Sequence, residues 1–195
     1  MKKQNKGIAD RLFIIGICLL VGAAVVLVSW QWAIRSSQRK AASYIQMIQT
    51  MIPEPQSTVL EERRDNTMSV LSINGTDFVG ILEIPRYGSS LPICADWGAV
   101  SQYPCLFSGS VYDRSMQIGG TSQKGQYDFY REICVGDSVL FTDMEGNCIS
   151  YEVTDIRYVK HADQTTLQSE TAALKLFIKN VYAFEYIIIF CDVLS

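Results

Sequence analysis

The side chains able to do nucleophilic, acid–base or metal chemistry are few: one histidine, His161, and six cysteines, Cys18, Cys94, Cys105, Cys134, Cys148 and Cys191. A thiol becomes a nucleophile when a neighbouring base or cation favours its thiolate, so a cysteine–histidine pair is the arrangement to look for. His161 stands in YVKHAD, at the end of a strand-like run, where a surface loop imidazole is the plain reading. Cys191 stands in IIIFCDVL, an apolar run that suits a buried, inert thiol because burial disfavours the thiolate. There is no C-x-x-C and no histidine cluster, so no metal site is expected. Cys94 and Cys105 are close enough in sequence to be bridged, and a small-core role suits them equally. The one Gly-rich segment, GGTSQKG from Gly119 to Gly125, reads as a loop and lacks the G-x-x-x-x-G-K-[ST] spacing that cradles phosphate. With no paired-carboxylate, Ser/His/Asp or dinucleotide signature either, no cofactor is expected.

The elements that would position these groups fall into two environments. With 195 residues, 48% hydrophobic and 19% charged, the chain can bury one ordinary core and carry appendages. Residues 1–40 have a net charge of +6, whereas residues 66–195 have a net charge of −7. The acidic balance of the second part argues against nucleic-acid binding. Residues 1–11 read as a cytoplasmic tail. From Leu12 to Ile34 the 23 residues carry no charge, and at ~1.5 Å per residue they span about 34 Å, enough for a single-pass transmembrane helix. A cleaved signal peptide is the alternative. Its apolar region would be roughly 7–15 residues and end in a small-residue site, whereas Ser29, Trp30, Gln31 and Trp32 follow here. Residues 35–66 read as an amphipathic stalk and linker. Ala41, Tyr44, Ile45, Ile48, Met51 and Ile52 form a stripe at helical spacing that Pro53 ends. The stripe can dock on the following domain or pair with a second copy; docking is favoured because the stripe falls short of three heptads. PEPQSTVLEERRDN has no period and reads as a tether.

From residue 67 to 195 the pattern is β. SVLSI and DFVGILEI flank Asn74-Gly75, the pair that supplies the positive φ angles of a type I′ hairpin turn. That turn also accounts for the Asn74-Gly75-Thr76 sequon. DSVLFTD, CISYEVTDIRYV, AALKLFIK and EYIIIFCDVL add strands at spacings typical of an antiparallel sandwich or barrel. A short helix is expected at Asp128–Ile133, and a loop with one turn at Asp163–Thr171.

At this level of detail the residues resemble a known family. DFVGILEIP (Asp77–Pro85) followed by Leu91-Pro92-Ile93, PCLFSGS (Pro104–Ser110), Val135-Gly136-Asp137-Ser138-Val139 with Phe141-Thr142-Asp143, and the run from Tyr158-Val159 through Asp163 and Leu167 are similar, in order, to the sortases, and in particular to a clostridial-type, class B-like sortase barrel. The resemblance implies a single closed β-barrel of about eight strands with short helices, held outside a Gram-positive membrane by its N-terminal helix. It also implies an N-terminus inside. Active sortases join sorting-signal proteins to the cell wall or to pilin subunits: a cysteine thiolate attacks the backbone carbonyl of an LPxTG-like signal, a histidine protonates the leaving amine, and an arginine stabilises the oxyanion.

Carried over residue by residue, that catalytic set is missing. The family's I-A-G-H-N segment reads Ile118-Gly119-Gly120-Thr121-Ser122, with Thr121 in the histidine position. The strand that should end in cysteine reads LKLFIK, with Lys179 in that position. The arginine position falls on Glu185 or Tyr186. A threonine hydroxyl does not exchange protons near neutral pH, and a lysine amine is ordinarily protonated there. The expectation is a catalytically degenerate, membrane-anchored sortase-like protein that binds a sorting-signal-like peptide or a surface or pilin protein. Ile118, Thr121, Ile178, Lys179 and Tyr182 are the candidates for the groove. An active transpeptidase using a non-aligned residue, and a non-enzymatic scaffold subunit, are the two alternatives.

Overall fold

The computed structural model describes residues 4–54, 56–57, 66–160 and 172–194, with backbone alone for 4–14, 30–40 and 56–57. The chain divides into two units, Met1–Arg39 and Lys40–Ser195. The backbone is helical over α1 (Gln4–Met51), which includes the apolar stretch 12–34. The side chains described in that stretch, 15–29, carry no charge. Among the described residues no helix is long and apolar enough to cross a membrane. His161 and the expected loop at Asp163–Thr171 lie outside the described residues, as does most of the tether.

Among the described residues the second unit has ten strands: β1 (Gln56–Ser57), β2 (Leu71–Ile73), β3 (Thr76–Ile84), β4 (Ser89–Cys94), β5 (Cys105–Ser108), β6 (Met116–Thr121), β7 (Ser138–Asp143), β8 (Asn147–Val159), β9 (Leu174–Asn180) and β10 (Glu185–Val193). Eight of them close a ring in the order β3-β4-β5-β6-β9-β10-β8-β7, with β7 pairing both β8 and β3. β2 extends from β3, and β1 lies parallel to β8 beyond it. The expected barrel of about eight strands is the one observed. The β2–β3 hairpin turns at Asn74 (φ 52°) and Gly75 (φ 78°), the left-handed conformations that a type I′ turn needs and that Asn-Gly adopts at least cost.

Strand alternation sorts the side chains into three apolar bodies. Leu82, Ile118, Phe141, Tyr151, Leu176, Ile178, Ile187 and Ile189 fill the barrel interior. A second body lies outside the barrel, where Phe78, Ile81, Cys94, Tyr103 and Cys105 meet Ala41, Tyr44, Ile45 and Ile48 from the end of α1. The amphipathic stripe therefore docks on the barrel. Ile48 is fully buried, and the Tyr44 ring lies 5.1 Å from that of Phe78 and 5.9 Å from that of Tyr103. The third body gathers Phe177, Ile188 and Phe190 with Phe107 on the outer face of β9 and β10.

Two local expectations are corrected. Asp128–Ile133 is not a helix but a run of turns, closed by hydrogen bonds such as Tyr130 N to Tyr127 O at 3.1 Å and Glu132 N to Phe129 O at 2.8 Å. Tyr127, Phe129, Tyr130 and Ile133 are all buried. Among the described residues the short helical elements are two 3-10 turns, Pro85–Tyr87 and Trp97–Ala99. Nor do Gly119 and Gly120 form a loop. They lie within β6, where their missing side chains let aromatic rings close in from opposite faces. A Cβ on Gly119 would sit 2.4 Å from the Phe177 ring and 2.5 Å from Trp97; one on Gly120 would sit 2.6 Å from Tyr127.

The Gly136-Asp137 motif is a fastening. The Asp137 carboxylate accepts hydrogen bonds from Arg86 at 2.6 Å, the Tyr87 hydroxyl at 2.8 Å and the Cys134 amide at 2.9 Å. Burial favours the neutral acid, but the Cys134 amide, Arg86 and Tyr87 together outweigh it and hold Asp137 below the usual carboxylate range. A carboxylate depressed on folding stabilises the fold above its unfolded pKa and loses that contribution as pH falls through the folded value. Asp137→Asn is expected to lower stability by about 1–2 kcal/mol at pH 7. In denaturant titrations the gap to wild type should begin to narrow near about pH 4, where the unfolded Asp starts to bind a proton, and should close further as pH falls through the folded value; a constant gap would mean that charge is not the cause.

Candidate functional site

Three positions far apart in sequence meet through strand register. β6 runs parallel to β9 with Thr121 opposite Lys179, and β10 runs antiparallel to β9 with Tyr186 opposite the same Lys179. The two arginine-position candidates differ in face: Tyr186 pairs with Lys179, whereas Glu185 pairs with Asn180, one step along. The alternation that carries Lys179 outward carries its neighbour Ile178 into the core. Ile118 follows the same rule, and both isoleucines are fully buried. They therefore supply no groove surface, contrary to expectation.

Thr121 is also covered. It is 8% exposed, and the chain after it folds back so that its N–H donates to Gln126 Oε1 at 2.8 Å and its carbonyl accepts from Tyr127 N at 3.2 Å. The open space lies beside it, around the β9–β10 turn. A cavity of about 500 Å³ is lined there by Lys160, Lys179, Asn180, Tyr182, Phe184 and Tyr186, with Val181, Ala183 and Glu185. Of the expected groove residues, Lys179 and Tyr182 face this cavity, and Ile118, Thr121 and Ile178 do not. Phe184 and Tyr182 are strongly exposed, at 102% and 69%.

Asn180, buried to 2%, organises the turn. Its Oδ1 accepts from Ser122 Oγ at 3.3 Å, Tyr130 OH at 3.4 Å and Tyr182 N at 3.0 Å, while its Nδ2 donates to Glu185 Oε1 at 2.8 Å. Ser122 completes the tie: its N–H donates to the Lys179 carbonyl at 3.0 Å, and its Oγ accepts from Val181 N at 3.0 Å. The sequence reading passed over Asn180, Ser122 and Gln126. The available signal was a lone asparagine ending the apolar strand LKLFIKN, a place where a side-chain amide can satisfy turn backbone.

Chemically, the cavity offers an amine, a carboxylate, phenols and apolar surface. Among the described residues no thiol or imidazole lines it. Cys94, Cys105 and Cys191 are fully buried, and burial pushes the Cys191 thiol well above its ordinary value. Cys148 sits at the other end of β8 from Lys160. Among the described residues no cluster of His, Cys, Asp and Glu could hold a metal ion.

The architecture defined by this ring of strands is that of a sortase barrel. No family model and no curated protein matches the sequence. Among solved structures the chain is similar to sortase C1 from Streptococcus agalactiae, with a TM-score of 0.52 and 16% identity over 64% of this chain and 71% of that one. It is also similar to sortase A from Listeria monocytogenes, with a TM-score of 0.51 and 13% identity over 60% of this chain and 88% of that one. The fold is thus sortase-like, in agreement with the resemblance read from the motifs.

Asn180→Ala should remove the hub of the turn, leaving the Tyr182 amide and the Tyr130 hydroxyl without their partner. The expected cost is about 1–3 kcal/mol, with faster hydrogen exchange at Val181 and Tyr182. Unchanged exchange at those two amides would show that the turn is held by other contacts.

Proposed function

We propose that this chain is a membrane-anchored, extracytoplasmic sortase-like protein that captures a sorting-signal-like peptide, or the surface or pilin protein bearing it, without processing it. The observation that carries the reading is the chemistry at the three meeting strands. Thr121, Lys179 and Tyr186 are neighbours in register, with Glu185 one step along, and by the motif resemblance Thr121, Lys179 and Glu185 or Tyr186 stand where a sortase-type mechanism needs imidazole, thiol and guanidinium. A hydroxyl and an amine supply neither a thiolate nor a proton shuttle near neutral pH. Fold does not carry chemistry with it.

Binding is favoured over a bare scaffold by the cavity at the β9–β10 turn, where the exposed Tyr182 and Phe184 rings stand beside Lys179 and Glu185. Apolar walls with a few convergent polar groups are the usual make-up of a ligand site. An extended peptide could lay an apolar side chain against the rings and a carboxylate near Lys179. The anchor is supported by the length of the uncharged stretch 12–34, which suits a single span; the placement of the barrel outside rests on the resemblance to sortases.

Full-length protein in detergent micelles, incubated with a fluorescent LPxTG-like peptide, is expected to bind saturably and to show no acyl-enzyme by intact mass. Phe184→Ala with Tyr182→Ala should weaken binding by roughly tenfold, equivalent to about 1.4 kcal/mol. An acyl adduct would overturn the degenerate reading, and absence of binding would move the assignment to a scaffold. Separately, protease added to intact cells should remove the barrel and spare residues 1–34; a protected C-terminus would reverse the topology.

A further inference from the structure

Two buried thiols lie opposite one another in a place that the peptide reading does not use. β4 and β5 run parallel, and the single pair of residues in register between them is Cys94 and Cys105. The Cys94 amide donates to the Pro104 carbonyl at 2.9 Å, which fixes that register. Paired Cα atoms on neighbouring strands are about 4.8 Å apart, inside the roughly 4.4–6.8 Å that a disulfide spans. The register places the two side chains side by side between the strands, and Cys105 Sγ donates to the Tyr103 carbonyl at 3.2 Å. Both residues are fully buried beneath the docked end of α1, among Phe78, Tyr103 and Ile48. Cys18, Cys134 and Cys148 stand elsewhere and are more accessible.

We infer that Cys94 and Cys105 are a redox pair that closes into a disulfide when the chain folds under oxidising conditions, clamping the β4–β5 connection to the barrel. The connection from residue 95 to 104 carries Trp97, whose ring packs on Phe107 at 5.0 Å and on Phe177 at 5.6 Å. It also carries the Val100 carbonyl that accepts from Gln126 Nε2 at 3.3 Å. Chemically, the thiolate of one cysteine attacks a low-molecular-weight disulfide such as oxidised glutathione, releasing one thiolate and leaving a mixed disulfide. The second cysteine then attacks the protein-bound sulfur and expels the other glutathione thiolate. The two protein thiols lose two electrons and two protons, and one glutathione disulfide becomes two thiols. Because both sulfurs are buried in the folded chain, exchange takes place before or during closure of the barrel. The pairing is independent of whether the cavity at the β9–β10 turn binds a peptide.

The full chain is refolded into detergent micelles with oxidised or with reduced glutathione, denatured, alkylated without reduction, and mapped by peptide mass. With oxidised glutathione the expected result is a Cys94–Cys105 linked peptide pair lacking both alkyl groups and about 2 Da lighter than the two thiol peptides together. The oxidised form should melt roughly 5–10 °C above the reduced form. That redox-dependent difference should vanish in Cys105→Ser and persist in Cys134→Ser. Reading the difference within each variant keeps the test valid even if a serine at the buried site lowers overall stability. Two alkylated cysteines at 94 and 105 after oxidative refolding, or a link from either one to Cys134 or Cys148, would overturn the proposal.

Discussion

The parallel register of β6 against β9 is the constraint on which the site depends. Thr121 and Lys179 are fifty-eight positions apart, and what brings them level is a ladder of pairs from Met116 opposite Leu174 to Thr121 opposite Lys179. Parallel neighbours are not joined by tight turns, so the intervening β7 and β8 must leave β6, close the ring against β3, and return the chain to β9. Ring closure through β7 is thus a condition for the site as well as for the core. A slip of one residue at β9 would turn Lys179 inward and Ile178 outward. The fully buried Leu174, Leu176 and Ile178 on one face make such a slip costly.

What could be read from the sequence follows the range of the interactions involved. The β2–β3 hairpin was legible because Asn74-Gly75 dictates its turn locally, and the docking stripe was legible because its spacing matches a helix face. The strand positions of Gly119 and Gly120 were not. Two consecutive glycines signal a loop when nothing is known of what packs against them, and here the reason for them is the approach of Tyr127 from inside and of Trp97 and Phe177 from outside. Asp128–Ile133 failed for a related reason: its polar and aromatic residues are compatible with one helical turn, but tertiary burial of Tyr127, Phe129, Tyr130 and Ile133 dictates turns instead. The candidate site divides the same way. Motif order located Thr121 and Lys179, whereas the face of each neighbouring isoleucine required the register, and Asn180 acquires its role only from partners brought in by β6 and the Ser122–Tyr130 segment.

The outer face of the barrel separates a stretch covered by the protein's own side chains from an open one. Along β6 and β9 the outward positions that lead up to Thr121 and Lys179 are Gly119 and Phe177, which are paired in register. Over them lies Trp97, its ring in contact with Phe177 and Phe107, so this stretch of the face is occupied by the protein's own aromatic side chains. The open surface begins only past Lys179, where Asn180 ends β9 and the turn displays Tyr182 and Phe184. Filling one part of the face and opening another relocates accessible apolar area without disturbing the interior, because the strand period separates the two sets of side chains.

The same separation lets the residues at positions 121 and 179 differ without disturbing the barrel core. The interior side chains that hold the ring, Ile118 and Ile178 among them, alternate with the positions where thiol and imidazole would stand. A lysine at 179 can extend into water, and Thr121 loses little by being covered, since its backbone groups are satisfied by Gln126 and Tyr127. The unsatisfied element is the Thr121 hydroxyl, buried with no hydrogen-bond partner. A buried hydroxyl without a partner carries a desolvation cost that a satisfied one would not, so what fixes Thr121 is its backbone and its place in the strand rather than its side-chain oxygen.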